Sequence, residues 1–256
     1  MKFSLCIDAV FKGQPFLTGL EKAKDAGFRA FEFWGWWDKD IKAIAKKAET
    51  LSMECATFCT RFIPLTDPDQ REAYLSGLKE TLETAKILGC KKIISQVGDD
   101  TGRDRAFQTA SVVEGLKAAA PLLEKADVIL MIEPLNGTID HKGTFLERST
   151  EGFEIVDHAA NGQVKLLFDI YHQQITEGDI IRRIQNGISR IGHFHAAGNP
   201  GRHEPYTGEL DYRNIIKAID ASGFPGYMGL EYFPEASPEE ASPEEGISKL
   251  KSYLGI

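Results

Sequence analysis

Apolar runs recur along the chain at intervals that fit one repeating unit. Eight segments, at roughly 3–8, 30–34, 53–59, 92–97, 128–134, 164–170, 190–196 and 226–233, are predicted strands. Most are near-continuous rather than alternating, as expected of parallel strands covered on both faces. Between them the apolar period changes to that of a helix. Phe16, Leu20 and Ala23 fall at i, i+4 and i+7, and "REAYLSGLKETLETAKIL" (71–88) is a longer amphipathic stretch. "DAGFRAFEFW" (25–34), "ILGCKKIISQV" (87–97) and "ASGFPGYMGLEYF" (221–233) share one punctuation. Each reads as a last helical turn, a glycine where the chain must turn left-handed, and a strand.

Strand and helix alternating in this way predict a (β/α)8 TIM barrel, with residues 1–256 as a single domain. The competing doubly wound sheet lacks its signature, since no GxGxxG follows the first strand. No linker or shift in composition divides the chain. The tandem "ASPEEASPEE" (236–245) stands apart. Ser-Pro-Glu-Glu fits a helix start, with Ser as N-cap, Pro in the first position and acids in the first turn. Its duplication reads as a solvated insertion before the last helix.

Composition narrows the function. Of the 256 residues, 42% are hydrophobic and 27% charged, which permits a sizeable core. A net charge of −8 argues against nucleic-acid and anionic-membrane partners, both of which call for basic patches. It leaves room for a small anionic substrate in a locally positive pocket. The four cysteines form no CxxC pair; Cys55 and Cys59, four apart in one predicted strand, are expected on one face as reduced core thiols. The N-terminal "MKFSLCIDAVFKGQPF" has no signal-like apolar run, and nothing later approaches the ~20 apolar residues of a membrane span, so a cytoplasmic location is expected.

The chemistry concentrates at four strand ends. "VILMIEPLN" (128–136) closes an apolar run with Glu133, in front of Pro134. A buried carboxylate without a partner costs several kcal/mol, so Glu133 needs water, a partner or a metal. The next three strands end alike: "VKLLFDIYH" (164–172) delivers Asp169, "RIGHFHAAG" (190–198) His195, and "YMGLEYF" (227–233) Glu231. Consecutive strands are neighbours in a barrel, and barrel active sites are built at this rim. Three crowded carboxylates raise one another's pKa, and a divalent cation removes the repulsion. Three oxygens and one imidazole suit Mn2+ or Mg2+, with Zn2+ and Co2+ as further candidates.

His193, on the same strand face as His195, is expected one layer deeper, hydrogen-bonded to a ligand carboxylate. His141 and His158 read as solvated. For an acidic substrate the candidate cations are Arg202, then Arg61, then Lys142, the last read as a solvated charge. Trp34, Trp36 and Trp37 are placed to wall the site, with one expected in the core and one exposed.

"LMIEPLN", "LLFDIYHQQ", "IGHFHAAGNPGRHEPYTGELDY" and "GYMGLEY" together resemble the xylose isomerase-like barrel superfamily. Within it they resemble the hydroxypyruvate isomerases, 2-oxo-tetronate isomerases and ketose 3-epimerases. The likeness spans nearly the whole chain and is sharpest from 128 to 233. It implies one divalent metal on Glu133, Asp169, His195 and Glu231, with Glu133 and Glu231 as the acid/base pair. It also implies His172 and Arg202 as substrate contacts; Glu204, in the same loop, and Arg61, past the third strand, complete the expected substrate side.

The reaction so implied is aldose–ketose isomerisation of a small 2-keto acid or sugar through an enediolate. A homo-oligomer is compatible with it. There are departures. Hydroxypyruvate isomerases commonly carry Gln where His195 stands, and the second and third strands end in "FEFWGWWDKD" and "FCTRFIPL" rather than the usual residues. His195 favours a ketose 3-epimerase, whereas "NPGRHEP" (199–205) favours the isomerase. Endonuclease IV shares the barrel but holds three zinc ions with histidines at earlier strand ends, which this chain lacks. A non-catalytic sugar-binding barrel has no need for paired carboxylates around a metal.

Overall fold

The computed structural model describes residues 1–236 and 242–255. Eight parallel strands pair in chain order and close on themselves: β1 (Lys2–Cys6), β2 (Ala30–Phe33), β3 (Glu54–Cys59), β4 (Lys92–Ser95), β5 (Ile129–Ile132), β6 (Val164–Asp169), β7 (Ile191–Ala196) and β8 (Tyr227–Leu230). This is the (β/α)8 barrel expected from the apolar pattern. The strands stop short of the apolar runs at several rim ends, β5 before Glu133 and β8 before Glu231. Pro134 has no N–H to continue the ladder, and the chain turns there, with Leu135 N donating to Leu146 O at 3.0 Å.

The helices form the outer ring. α1 (Ile7–Val10) is a single turn, and α2 (Phe16–Asp25) and α3 (Ile41–Leu51) follow. The predicted 71–88 stretch is α4 (Arg71–Leu88), and α5 (Arg105–Ala126) and α6 (Ser149–Ala159) complete that side. α7 (Ile170–Thr176), α8 (Ile180–Gly187), α9 (Tyr212–Ala221) and α10 (Pro243–Leu254) close the ring. The three helix-stopping glycines, Gly27, Gly89 and Gly223, all have positive φ. Ser242 and Pro243 open α10 as N-cap and first residue, although the Ser242 hydroxyl makes no capping bond. The first Ser-Pro-Glu-Glu lies in 237–241, outside the described residues.

Alternation along each strand separates two layers. Phe31, Phe33, Phe58, Leu130, Phe168 and Phe194 point outward to the helices and are fully or nearly fully buried. Inside the barrel, β3 to β6 contribute an apolar cluster of Cys59, Ile94, Met131 and Leu167. The β1, β2, β7 and β8 side is polar, with Ser4, Glu32, His193 and His195 all buried. The interior is therefore half oil and half ionisable.

The expected shared face of Cys55 and Cys59 is corrected. The β2–β3 register jumps from Phe31↔Cys55 to Glu32↔Thr57, so Ala56 is an extra residue. That bulge shifts the alternation. Cys55 packs in the outer core and Cys59 inside the barrel. All four cysteines are free and buried, as expected of reduced core thiols.

Candidate active site

The four strand-end groups meet. Glu133 and Glu231 each stand one residue beyond their strand, Asp169 ends β6, and His195 lies in β7. All are buried, and one ligand-capable atom from each lies within 4.8 Å of the other three. His195 Nδ1 is 3.6 Å from Glu133 Oε1 and 3.4 Å from Glu231 Oε2.

Local structure aims each group. β6 runs directly into α7, and Asp169 caps that helix, Oδ1 accepting from Tyr171 N (2.8 Å) and His172 N (3.2 Å). Its Oδ2 is left facing His172 Nε2 at 3.5 Å and Arg202 Nη2 at 3.9 Å. Glu231 is held on both oxygens: Oε1 accepts from Trp34 Nε1 at 2.6 Å, and Oε2 pairs with Arg202. Asn136 turns the loop after Glu133, its Oδ1 accepting from Ile139 N at 2.9 Å.

His172 sits fully buried against this loop. The Asn136 amide reaches both Asp140 Oδ2 (2.8 Å) and His172 Nδ1 (2.6 Å), which makes Nδ1 the acceptor and leaves the proton on Nε2. That Nε2 has no hydrogen-bond partner among the described residues.

The electrostatics split the two glutamates. Burial raises the Glu133 pKa, with His195 only partly opposing it. Burial acts the same way on Glu231, but His195 and Arg202 outweigh it and hold that carboxyl well below its ordinary range. Asp169 is raised by burial against the pull of Arg202 and His195. Burial disfavours charge on His195, yet Glu231 and Glu32 carry its pKa well above 6.5. His172 goes the other way, pushed down by burial and then by Arg202.

Of the expected substrate contacts, His172 and Arg202 join the cluster and two others do not. Arg61 pairs with Glu80 (2.9 Å) and lies over the Trp36 ring at 4.8 Å, out on the rim. Glu204 is buried under α10: Oε2 accepts from Glu235 N at 3.2 Å, and Oε1 lies beside Gly246. Its carboxylate braces the Arg202 loop against the last helix instead of facing the pocket. Lys142 is exposed, as expected.

His193 is also corrected. Its Nε2 bonds Glu32 Oε2 at 2.8 Å, and Glu32 is not one of the four convergent groups. Sequence reasoning missed Glu32, whose only signal is a charge between two phenylalanines in a strand, "FEF". Trp37 is exposed, but Trp34 and Trp36 are both half-buried and neither is core. His141 packs edge-on against His172, ring centroids 5.1 Å apart, so it is not simply solvated.

The donor set fits a divalent metal. Three carboxylates and an imidazole are gathered in a buried space, and neither His195 nitrogen has a hydrogen-bond partner among the described residues. The chain is 32% identical to hydroxypyruvate isomerase of Escherichia coli strain K12, over 93% of this chain and 96% of that one. It is also 32% identical to 2-oxo-tetronate isomerase of Cupriavidus necator, over 99% of each. A crystal structure of an AP endonuclease, family 2, from Brucella melitensis matches with a TM-score of 0.92 and 25% identity over 98% of both chains. The xylose isomerase-like TIM barrel family model covers residues 20–253. With that match and full-length relatives at 32% identity, the chain belongs to the xylose isomerase-like TIM barrel family.

Proposed function

We propose that this chain is a metal-dependent isomerase of small 2-keto acids such as hydroxypyruvate, working through an enediolate. The observation that carries it is the convergence of Glu133, Asp169, His195 and Glu231 within 4.8 Å on four consecutive strands. Kinship to isomerases of hydroxypyruvate and 2-oxo-tetronate names the substrate class. Those four residues would hold the ion, Mn2+ or Mg2+ by donor type. A bound divalent cation supplies the positive charge that stabilises developing oxyanions on carbonyl and hydroxyl oxygens.

The chain's own groups do the rest. Isomerisation moves a proton between adjacent carbons, and Glu133 is placed to accept it at the first. Glu231, oriented by Trp34 and Arg202, serves the second carbon. Arg202 Nε is buried and has no hydrogen-bond partner among the described residues, a donor for a substrate oxygen, and His172 Nε2–H is another. Donors of this kind suit a keto-acid carboxylate.

Deuterium uptake from heavy water tests the reading across hydroxypyruvate, four-carbon keto acids and free ketoses. We expect exchange into hydroxypyruvate, abolished by chelation and restored by Mn2+. Glu133→Gln and Glu231→Gln should each lower exchange by about 10²-fold or more with metal still bound. Near-normal exchange in either variant would remove the acid/base assignment, and full activity in ion-free protein would remove the metal.

The imidazole at His195 favours a second reading, a ketose 3-epimerase, in which the proton returns to the same carbon; inversion of a free ketohexose would establish it. The Brucella melitensis structure's description raises DNA repair. The net charge of −8 speaks against it, and a salt-sensitive DNA mobility shift would revive it.

A further inference from the structure

Beneath the four-residue cluster, and sharing His195 with it, lies a second one whose other members, Glu32 and His193, are buried and so far without a role. We propose that Glu32 is a positioning residue: its carboxylate sets the ring orientation of His195 and keeps a proton on Nε2, so that Nδ1 is presented to Glu133 and Glu231. The proposal rests on the metal reading of the site above.

Three observations carry it. First, His195 Nδ1 faces the cluster while Nε2 faces Glu32 Oε1 at 3.4 Å. Neither Nε2 nor Oε1 has a hydrogen-bond partner elsewhere among the described residues. Second, the other carboxylate oxygen is fixed, accepting from His193 Nε2 at 2.8 Å and from Ser4 Oγ at 3.2 Å. Third, the barrel makes room for it. Gly229 pairs with His195 in the β7–β8 ladder, and a Cβ there would fall 1.7 Å from Glu32 Oε1.

A charge in this place is expensive as mere filling. The opposite half of the interior is apolar, and an apolar side chain would fill the space without desolvating a carboxylate. What only a carboxylate does is accept from two imidazoles at once. A carboxamide cannot. Turned one way, its NH2 opposes the His193 N–H; turned the other, it opposes the His195 N–H and drives that proton to the nitrogen meant for the metal. A ligating histidine whose remote N–H is held by a carboxylate is a general device for fixing tautomer and raising ligand basicity.

Glu32→Gln and Glu32→Asp in the full chain test this, with thermal unfolding to establish that each variant folds. Imidazole ¹H–¹⁵N spectra of metal-free protein, taken at alkaline pH where the His195 ring is neutral, should show its proton on Nε2 in the wild type and on Nδ1 in Glu32→Gln. Mn2+ titration should show affinity about ten- to hundredfold weaker in Glu32→Gln, with Glu32→Asp recovering part of it. Should Glu32→Gln fail to fold, Gly229→Ala, which displaces Oε1 without removing the charge, should reproduce both effects. A folded variant that keeps the Nε2–H signal and binds Mn2+ within about twofold of wild type overturns the proposal. If the wild type takes up no Mn2+, the metal reading falls, and the imidazole signal alone decides Glu32.

Discussion

Single side chains in this site act through the partners that hold them. Trp34 donates its indole N–H to Glu231 Oε1 at 2.6 Å while its ring leans on Phe233, 6.2 Å between centroids. A hydrogen bond to a charged group is worth about 1.5–3 kcal/mol. Trp34→Phe keeps an aromatic ring and removes the donor, so turnover on hydroxypyruvate should fall about ten- to hundredfold with KM little changed. Unchanged turnover would mean that Arg202 alone orients Glu231. Glu133, Asp169, His195 and Glu231 were legible as acids or imidazole closing apolar runs. Glu32 was not, because the partners that explain it come from β7, some 160 residues away in the chain.

Among the elements, the loop from β7 to α9 decides where Arg202 points. It is tied by Gly198 N to His203 O (2.8 Å), by Glu209 N to Asn199 O (2.8 Å) and by Phe233 N to Arg202 O (2.9 Å). Gly208 has φ +79°, and a Cβ there would lie 2.1 Å from the Asn199 carbonyl oxygen. Left-handed backbone costs a residue with a side chain roughly 1–2 kcal/mol, and the clash adds to it. Gly208→Ala should therefore displace the loop, raising KM for keto acid about tenfold or more while the barrel's thermal midpoint moves little. A wild-type KM would show that Arg202 is held from elsewhere. Arg61 and Glu204, expected on the substrate side, are held away from the four-residue cluster at this scale. Spacing places a residue in a loop but cannot say that Glu80 or the start of α10 will capture its side chain.

For the whole molecule, burying neutral imidazoles ties stability to pH. His172 and His193 are both held below their ordinary value of 6.5, chiefly by burial. The folded chain binds those protons only at lower pH than the unfolded chain, which takes them up below pH 6.5, so stability is present above that pH and is lost as pH falls. The loss is up to about 1.4 kcal/mol per pH unit for each histidine. His195, held above 6.5, works oppositely, its contribution complete at low pH and lost as pH rises. Urea unfolding under chelation at pH 7.5 and 5.5 should show His172→Gln losing about 1 kcal/mol less than wild type over that interval. Equal losses would mean that His172 titrates normally when folded. The eightfold alternation, the helix stops and the four strand-end acids and imidazole were written in local pattern, because strand period, helix period and chain order together place consecutive strand ends side by side. Tertiary structure alone decided the bulge at Ala56 that parts Cys55 from Cys59, the capture of Arg61 and Glu204, and the Glu32–His193–His195 layer. Each of these depends on which distant backbone a side chain meets when the barrel closes, and no local pattern carries that distance.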